Sequence, residues 1–237
     1  MNAAGRAGVR GAEFRTVLFV FLAFGTFAVL SWESFGSDGG PSFFYPAAGV
    51  TVAAMMLSRR VVWPWICLAV VVAEILVDTH YGSTLRVAVQ FAAANVVEPL
   101  IGASLVLAWC GGRPDLRERR DFVGFLVGAC LIAPVIPALI GGHAIAGDGG
   151  PPWQGAALTW WAGDAVGVLV MASPILLWPD QAGVLRRRPW ETAAALLVTG
   201  GLSVGSFWSD LPPSVLVLPV LAWAAFRLDM LGAAAAG

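Results

Sequence analysis

The chain contains no lysine, only two histidines, only three cysteines and few charges. Each shortage removes a class of protein. Charged residues make up 12% of the 237 positions while 58% are hydrophobic, and an ordinary soluble domain carries roughly 25% charge. Cys67, Cys110 and Cys130 are odd in number and lack CxxC spacing, which points to neither a disulfide framework nor a zinc site. The histidines, His80 and His143, fall in expected loops on one side, so intramembrane bis-histidine haem ligation is not indicated. A shared metal or a pH response there would rest on Asp78, His80, His143 and Asp148, and two histidines in loops are thin support. No metal, cofactor or catalytic residue is expected. Gly102, Ala103 and Ser104 read as small-residue packing, because any histidine base would come from the opposite side of the membrane.

Long apolar runs are abundant. A bilayer core about 30 Å thick needs about 20 mostly apolar residues per helix. On that measure there are about eight runs: Thr16–Trp32, Phe44–Ser58, Val61–Asp78, Leu85–Trp109, Phe122–Gly141, Ala156–Trp178, Glu191–Trp208 and Ser214–Phe226. The second, seventh and eighth are short. All fourteen basic residues are Arg, and with a cytoplasmic N-terminus every one except Arg86 falls inside. This positive-inside asymmetry is independent of the apolar runs themselves, so it supports both their number and the orientation. The expected fold is an all-α, polytopic transmembrane bundle of about eight helices. Residues 1–15 form a cytoplasmic N-terminal segment, and 16–237 a multi-pass membrane domain in a bacterial inner membrane.

The first run follows arginines, yet it is long, lacks a small-residue cleavage site and precedes further runs, so it reads as a retained helix and not a signal peptide. The basic inner face suits anionic lipids and is no argument for nucleic-acid binding. The largest expected inner loop, Cys110 to Asp121, could not bury a core of its own. Ser34–Ser42 and Gly142–Gln154 read as Gly-, Pro- and Asp-rich outer loops. Small apolar residues after Arg227 and Asp229 look like the start of another helix, so the sequence reads as truncated at its C-terminus.

Ionisable groups inside a bilayer cost a few kcal/mol on insertion scales and need a partner, water or a neutral state. Glu74, Asp78, Glu98 and Asp164 are such groups. Asn95 and Glu98, three apart, share a helix face with Phe91; Trp160, Trp161 and Asp164 are expected to converge on another. Gly163 and Gly167 make a GxxxG pair that lets a neighbouring backbone approach. The expected cluster joins Asn95, Glu98, Trp160, Trp161 and Asp164 between the fourth and sixth runs, with Glu74 as a further sensing candidate. Three roles compete for it: interhelical hydrogen-bond glue, ligand or signal sensing, and translocation of a small solute or proton. Pro134 and Pro137 could break the fifth helix, as transport would demand, but no internal repeat is evident.

FFYPAAGV at Phe43–Val50, VVWPWI at Val61–Ile66, the Asn95-x-x-Glu98 pair, TWWAGDAVGVL at Thr159–Leu169 with Pro174 following, and AWAAFRLDMLGAA at Ala222–Ala234 occur in a telling order. Together they resemble the type-one membrane-associated sensor domain, a MASE family of bacterial signalling proteins, from about residue 16 onward. The resemblance implies an integral sensory module joined, in cis or through a partner in trans, to a cytoplasmic kinase or cyclic-nucleotide output domain. It also implies that Asn95, Glu98 and Asp164 occupy recurring polar positions; a homodimer is one partner state to expect, and the sequence does not fix the oligomer. It implies no agreed ligand.

Overall fold

The structure is a computed structural model that describes residues 3–35, 44–206 and the isolated positions 224, 228, 231, 234 and 235. Its described elements are α1 (Ala3–Phe35), α2 (Pro46–Leu57), a 3-10 turn (Arg60–Val62), α3 (Trp63–His80), α4 (Leu85–Cys110), α5 (Arg119–Phe125), α6 (Val135–Gly147), α7 (Trp153–Arg187) and α8 (Pro189–Ser206). A π-helical stretch, Leu126–Ile132, continues α5. The fold is all-α and polytopic. Five stretches are long and apolar enough to cross a membrane: Gly11–Glu33, Arg60–His80, Leu85–Cys110, Arg119–Gly147 and Trp153–Asp180.

The chain divides into two compact units, residues 1–114 with 118–172, and residues 115–117 with 173–237. In the first, α1 packs along α3 and α2, and α4 packs against α3, α2, α6 and the π-helical stretch. In the second, Arg188 at the start of α8 pairs with Glu191 at 3.2 Å. The hydroxyl of Thr192 accompanies that pair, donating to the carbonyl of Leu185 at 3.3 Å.

Three expectations change. The run expected at Phe44–Ser58 is α2, whose twelve residues reach only about 18 Å, too short to span alone. It is buried from Pro46 through Met56, which explains why its sequence is apolar all round. The indole of Trp63 at the start of α3 donates to the Met55 carbonyl at 3.0 Å, and Tyr45 bonds to Glu74 near the other end of α3. Thus α2 rises from the base of α3 and stops partway up.

The second change is at Gly142–Gln154, where a loop was expected: α6 continues to Gly147 and carries His143. Gly141 and Gly142 sit where added side chains would overlap Trp160 and Ala157 of α7. Their smallness serves close helix packing here and not a turn. His143 is exposed, stacks on Trp153 with centroids 4.5 Å apart, and has Nδ1 2.8 Å from the Leu139 carbonyl.

The third concerns helix ends. The helix expected to begin at Thr16 extends back to Ala3. The fifth run is interrupted as its prolines suggested: the π-helical stretch precedes a turn at Ala133 and Pro134, after which α6 begins. The seventh run corresponds to α8, which is not among the five long apolar stretches. The eighth, Ser214–Phe226, lies outside the described residues apart from Ala224.

A candidate signal-sensing site inside the bundle

The buried polar side chains of the first unit are Ser31, Thr51, Glu74, Asp78, Asn95, Glu98 and Asp164. All except Thr51 lie toward the end of the bundle where α3 turns into α4. Counted at about 1.5 Å per residue from that turn, Asp78 is about 3 Å deep, Glu74 about 9 Å, Asn95 about 15 Å and Glu98 about 20 Å. Asp164 lies about 16 Å along α7 from its start by the same count. Below this level the buried residues of α2 include Val50, Val52, Met55 and Met56, and the hydroxyl of Thr51 is spent on the Ala47 carbonyl at 3.0 Å.

The polar groups form a descending series. At the top Asp78 Oδ1 accepts from the indole of Trp32 at 3.1 Å. That indole lies flat against Tyr81, with ring centroids 5.3 Å apart, and the Tyr81 hydroxyl donates to Glu33. One turn deeper, Glu74 is fully engaged. Its Oε2 accepts from the Tyr45 hydroxyl at 3.0 Å, and its Oε1 from the amide of Asn95 at 2.6 Å. Tyr45 is held in turn by an edge contact with Phe24 at 6.1 Å.

Tyr45 caps α2, with Pro46 following it in the first turn, where its missing N–H costs nothing. The Tyr45 N–H donates to the Gly163 carbonyl of α7 at 3.1 Å. A side chain on Gly167 would overlap the Tyr45 carbonyl, and one on Gly49 would overlap the Gly167 carbonyl. The two glycines of α7 therefore bring its backbone against the first turns of α2, and Asp164 lies between them. The N-terminal end of α2, with its partial positive charge, is set inside the bundle at this level.

The deepest pair behaves differently. Glu98 is 0% exposed and Asp164 2% exposed, and their carboxyls are close enough to interact electrostatically. Neither Glu98 oxygen, nor Asp164 Oδ2, nor Asn95 Oδ1 has a hydrogen-bond partner among the described residues. The indole N–H of Trp160 lies close enough to the Asp164 carboxyl to stabilise its charged form, at longer range or poorer angle than a full hydrogen bond. The two carboxyls lie within hydrogen-bonding reach of each other, but a carboxylate only accepts, so that bond forms only when one of them carries a proton. Pro99 adds a further acceptor, because it has no N–H to give the Asn95 carbonyl four residues before it. Cys130, on the π-helical stretch, faces Glu98 from the other side.

Of the sequence candidates, Glu74, Asn95, Glu98, Asp164 and Trp160 come together, with Gly163 and Gly167 at the crossing of α2 and α7. Trp160 also packs on Phe91 of α4, with centroids 5.0 Å apart. Trp161 does not join them: its indole turns to the Leu131 carbonyl, 2.9 Å away in the π-helical stretch. Adjacent helix positions diverge by about 100°, so the two tryptophans could not both face Asp164. Sequence reasoning passed over Tyr45, Trp32 and Pro99. A Tyr-Pro step opening an apolar run was a readable helix start, whereas the Trp32 to Asp78 bond is a long-range contact with no local mark. Among the described residues no three His, Cys, Asp or Glu side chains are grouped to hold a metal ion.

Comparison with known proteins gives this site a context. The chain is 26% identical over 220 residues to a protein described as "Probable diguanylate cyclase DgcE" from Escherichia coli strain K12. The match covers 92% of this chain and 19% of that protein, so the chain spans about a fifth of its relative's length. No solved structure matches it significantly. The MASE1 family profile matches residues 16–237, nearly the whole bundle including every residue of the polar series; the chain belongs to the MASE1 family of membrane sensor domains.

Proposed function

We propose that the chain is a signal-input domain of the bacterial cytoplasmic membrane, with its N-terminus inside. In this reading it binds a ligand or partner at the Glu98 and Asp164 level and relays the event to a cytoplasmic output domain. The observation that carries this is a pair of buried carboxyls set side by side, whose own bond needs an added proton and to which no backbone amide or hydroxyl among the described residues donates. Groups selected only as glue would be expected to satisfy each other, as Glu74, Tyr45 and Asn95 do. A ligand that prefers one of two helix arrangements shifts their populations, and about 2 kcal/mol of preference suffices for tens-fold regulation. The relative's printed description favours a diguanylate cyclase output over a histidine kinase. Orientation rests on the arginines: with the α3–α4 turn outside, Arg86 alone among the described arginines lies on that side.

The test is cyclic di-GMP formed per molecule by the chain joined in frame to a diguanylate cyclase domain. Asp164→Asn should lock or abolish the response, changing output about tenfold at equal membrane abundance. Unchanged output at equal abundance would reject the reading.

A second reading, transport of a small solute or proton, is favoured by one feature: α2 starts inside the bundle, as discontinuous helices do in transporters. The apolar lower half of the first unit weighs against it. Flux of protons or solute across proteoliposomes carrying the chain would overturn the sensor reading in its favour.

A further inference from the structure

The polar series is blind. It begins near the surface at Glu33, Tyr81 and Asp78, descends through Glu74, Tyr45 and Asn95, and ends at Glu98 and Asp164. Beyond it lie Val50, Val52, Met55 and Met56 of α2, Ala103 and Val106 of α4, Phe125 and Ala129 of the α5 and π-helical run, and Val168 and Ala172 of α7, all buried. A group entering from the α3–α4 end would meet oxygen acceptors in sequence and then a wall.

We propose that Glu98, Asp164 and Asn95 form a binding site for one small monovalent cation, a proton or a sodium ion, reached from the α3–α4 end only. This rests on the sensor reading above and supplies its ligand class. The donor chemistry is uniform: apart from a proton that Glu98 and Asp164 can share, both oxygens of Glu98, Oδ2 of Asp164 and Oδ1 of Asn95 are acceptors that no N–H or O–H among the described residues bonds, and hard cations take oxygen ligands. Asn95 is 4% exposed, and its amide nitrogen is committed to Glu74. Its carbonyl oxygen is thereby turned away from Glu74, on the helix face that carries Glu98 one turn further along.

Charge makes the same demand. The titratable groups facing the pair from each packed element are Tyr45 at the cap of α2, Glu74 of α3 and Cys130 of the π-helical stretch. None is a base. Two carboxylates at hydrocarbon depth require a positive charge or a neutral state. One monovalent cation leaves a single negative charge beside the N-terminal end of α2, the polarity that end favours. With four oxygens, and the nearby Glu74 carboxyl engaged by Tyr45 and Asn95, the site is poor for a calcium ion, which takes 6–8 oxygen ligands.

The experiment is thermal unfolding of the purified chain in nanodiscs, titrated with sodium chloride against choline chloride at several pH values. Infrared difference spectra of the carboxyl C=O band accompany it, with Glu98→Gln and Asp164→Asn as variants. A sodium site predicts that Tm rises by about 3 °C at ten times half-saturation, only with sodium. A proton site predicts a pH-dependent Tm, indifferent to sodium, with a carboxylic acid band that Glu98→Gln removes. Wild type responding to neither, or both variants keeping the full response, overturns the proposal. If Asp164→Asn alters output in the fused cyclase while no cation response exists, the cation site falls and the sensor reading stands. A cation response lost in the variants with output unmoved does the reverse.

Discussion

Glu74 and Glu98 are the same residue type, are 4% and 0% exposed, and lie within about two helical turns in depth, yet they are treated oppositely. Glu74 has a donor for each oxygen, from Tyr45 and Asn95; Glu98 has only the neighbouring Asp164 carboxyl, which donates only when it is protonated. A buried carboxyl with its partners in place ties helices together, here α3 to α4 and to the cap of α2. A buried carboxyl without them is a cost that packing alone does not explain. Asp78 is intermediate, with Oδ1 engaged by Trp32 and Oδ2 unpartnered. The contrast separates a structural part of the polar series from a part free to bind.

Substitutions can break or sharpen that contrast. The largest loss is expected at the helix crossing that frames Asp164: Gly167→Ala forces a methyl group into the Tyr45 carbonyl and should cost about 3 kcal/mol of stability, measured by unfolding in mixed micelles. Tyr45→Phe removes one donor from Glu74 and should cost about 2 kcal/mol, read in the same assay; a neutral result would mean that Glu74 is not glue. Glu98→Gln is isosteric and takes away an unsatisfied charge, so stability should hold or rise by about 1 kcal/mol while output changes. A loss comparable to Tyr45→Phe would erase the distinction between the two glutamates.

The smallest effect is at the surface. The hydrogen bond to Glu33 and its negative charge hold the Tyr81 phenol above its ordinary range. Because the folded value is raised, this contribution is complete below the ordinary tyrosine value of about 10 and is lost as pH rises through the folded one. Ultraviolet titration should show the shift, and Glu33→Gln should reduce it.

Much of this arrangement was legible in the sequence. Charged residues in apolar runs announce themselves, and three-residue spacing on a helix put Asn95 and Glu98 on one face without any structure. The all-α bundle follows from the same hydropathy. What was not legible depends on contacts distant along the chain. The bond between Trp32 and Asp78 joins residues 46 apart, and nothing near either forecasts it. The second run was already short in the sequence, but a buried helix and a spanning one are equally apolar, so that α2 stops inside the bundle was not legible. Gly142 looked like the start of a loop because glycine marks both turns and close helix packing, and only the position of Ala157 on α7 separates the two. Trp161 was misplaced for a simpler reason: neighbouring residues on a helix cannot share a face.

The most direct test of the division is cyclic di-GMP output per molecule from the chain fused to a diguanylate cyclase domain, compared between Glu98→Gln and Tyr45→Phe with membrane abundance measured alongside. The account predicts that Glu98→Gln changes output per molecule about tenfold at unchanged abundance, and that Tyr45→Phe lowers abundance while output per molecule stays the same. Output that tracks abundance alone in both variants would contradict it.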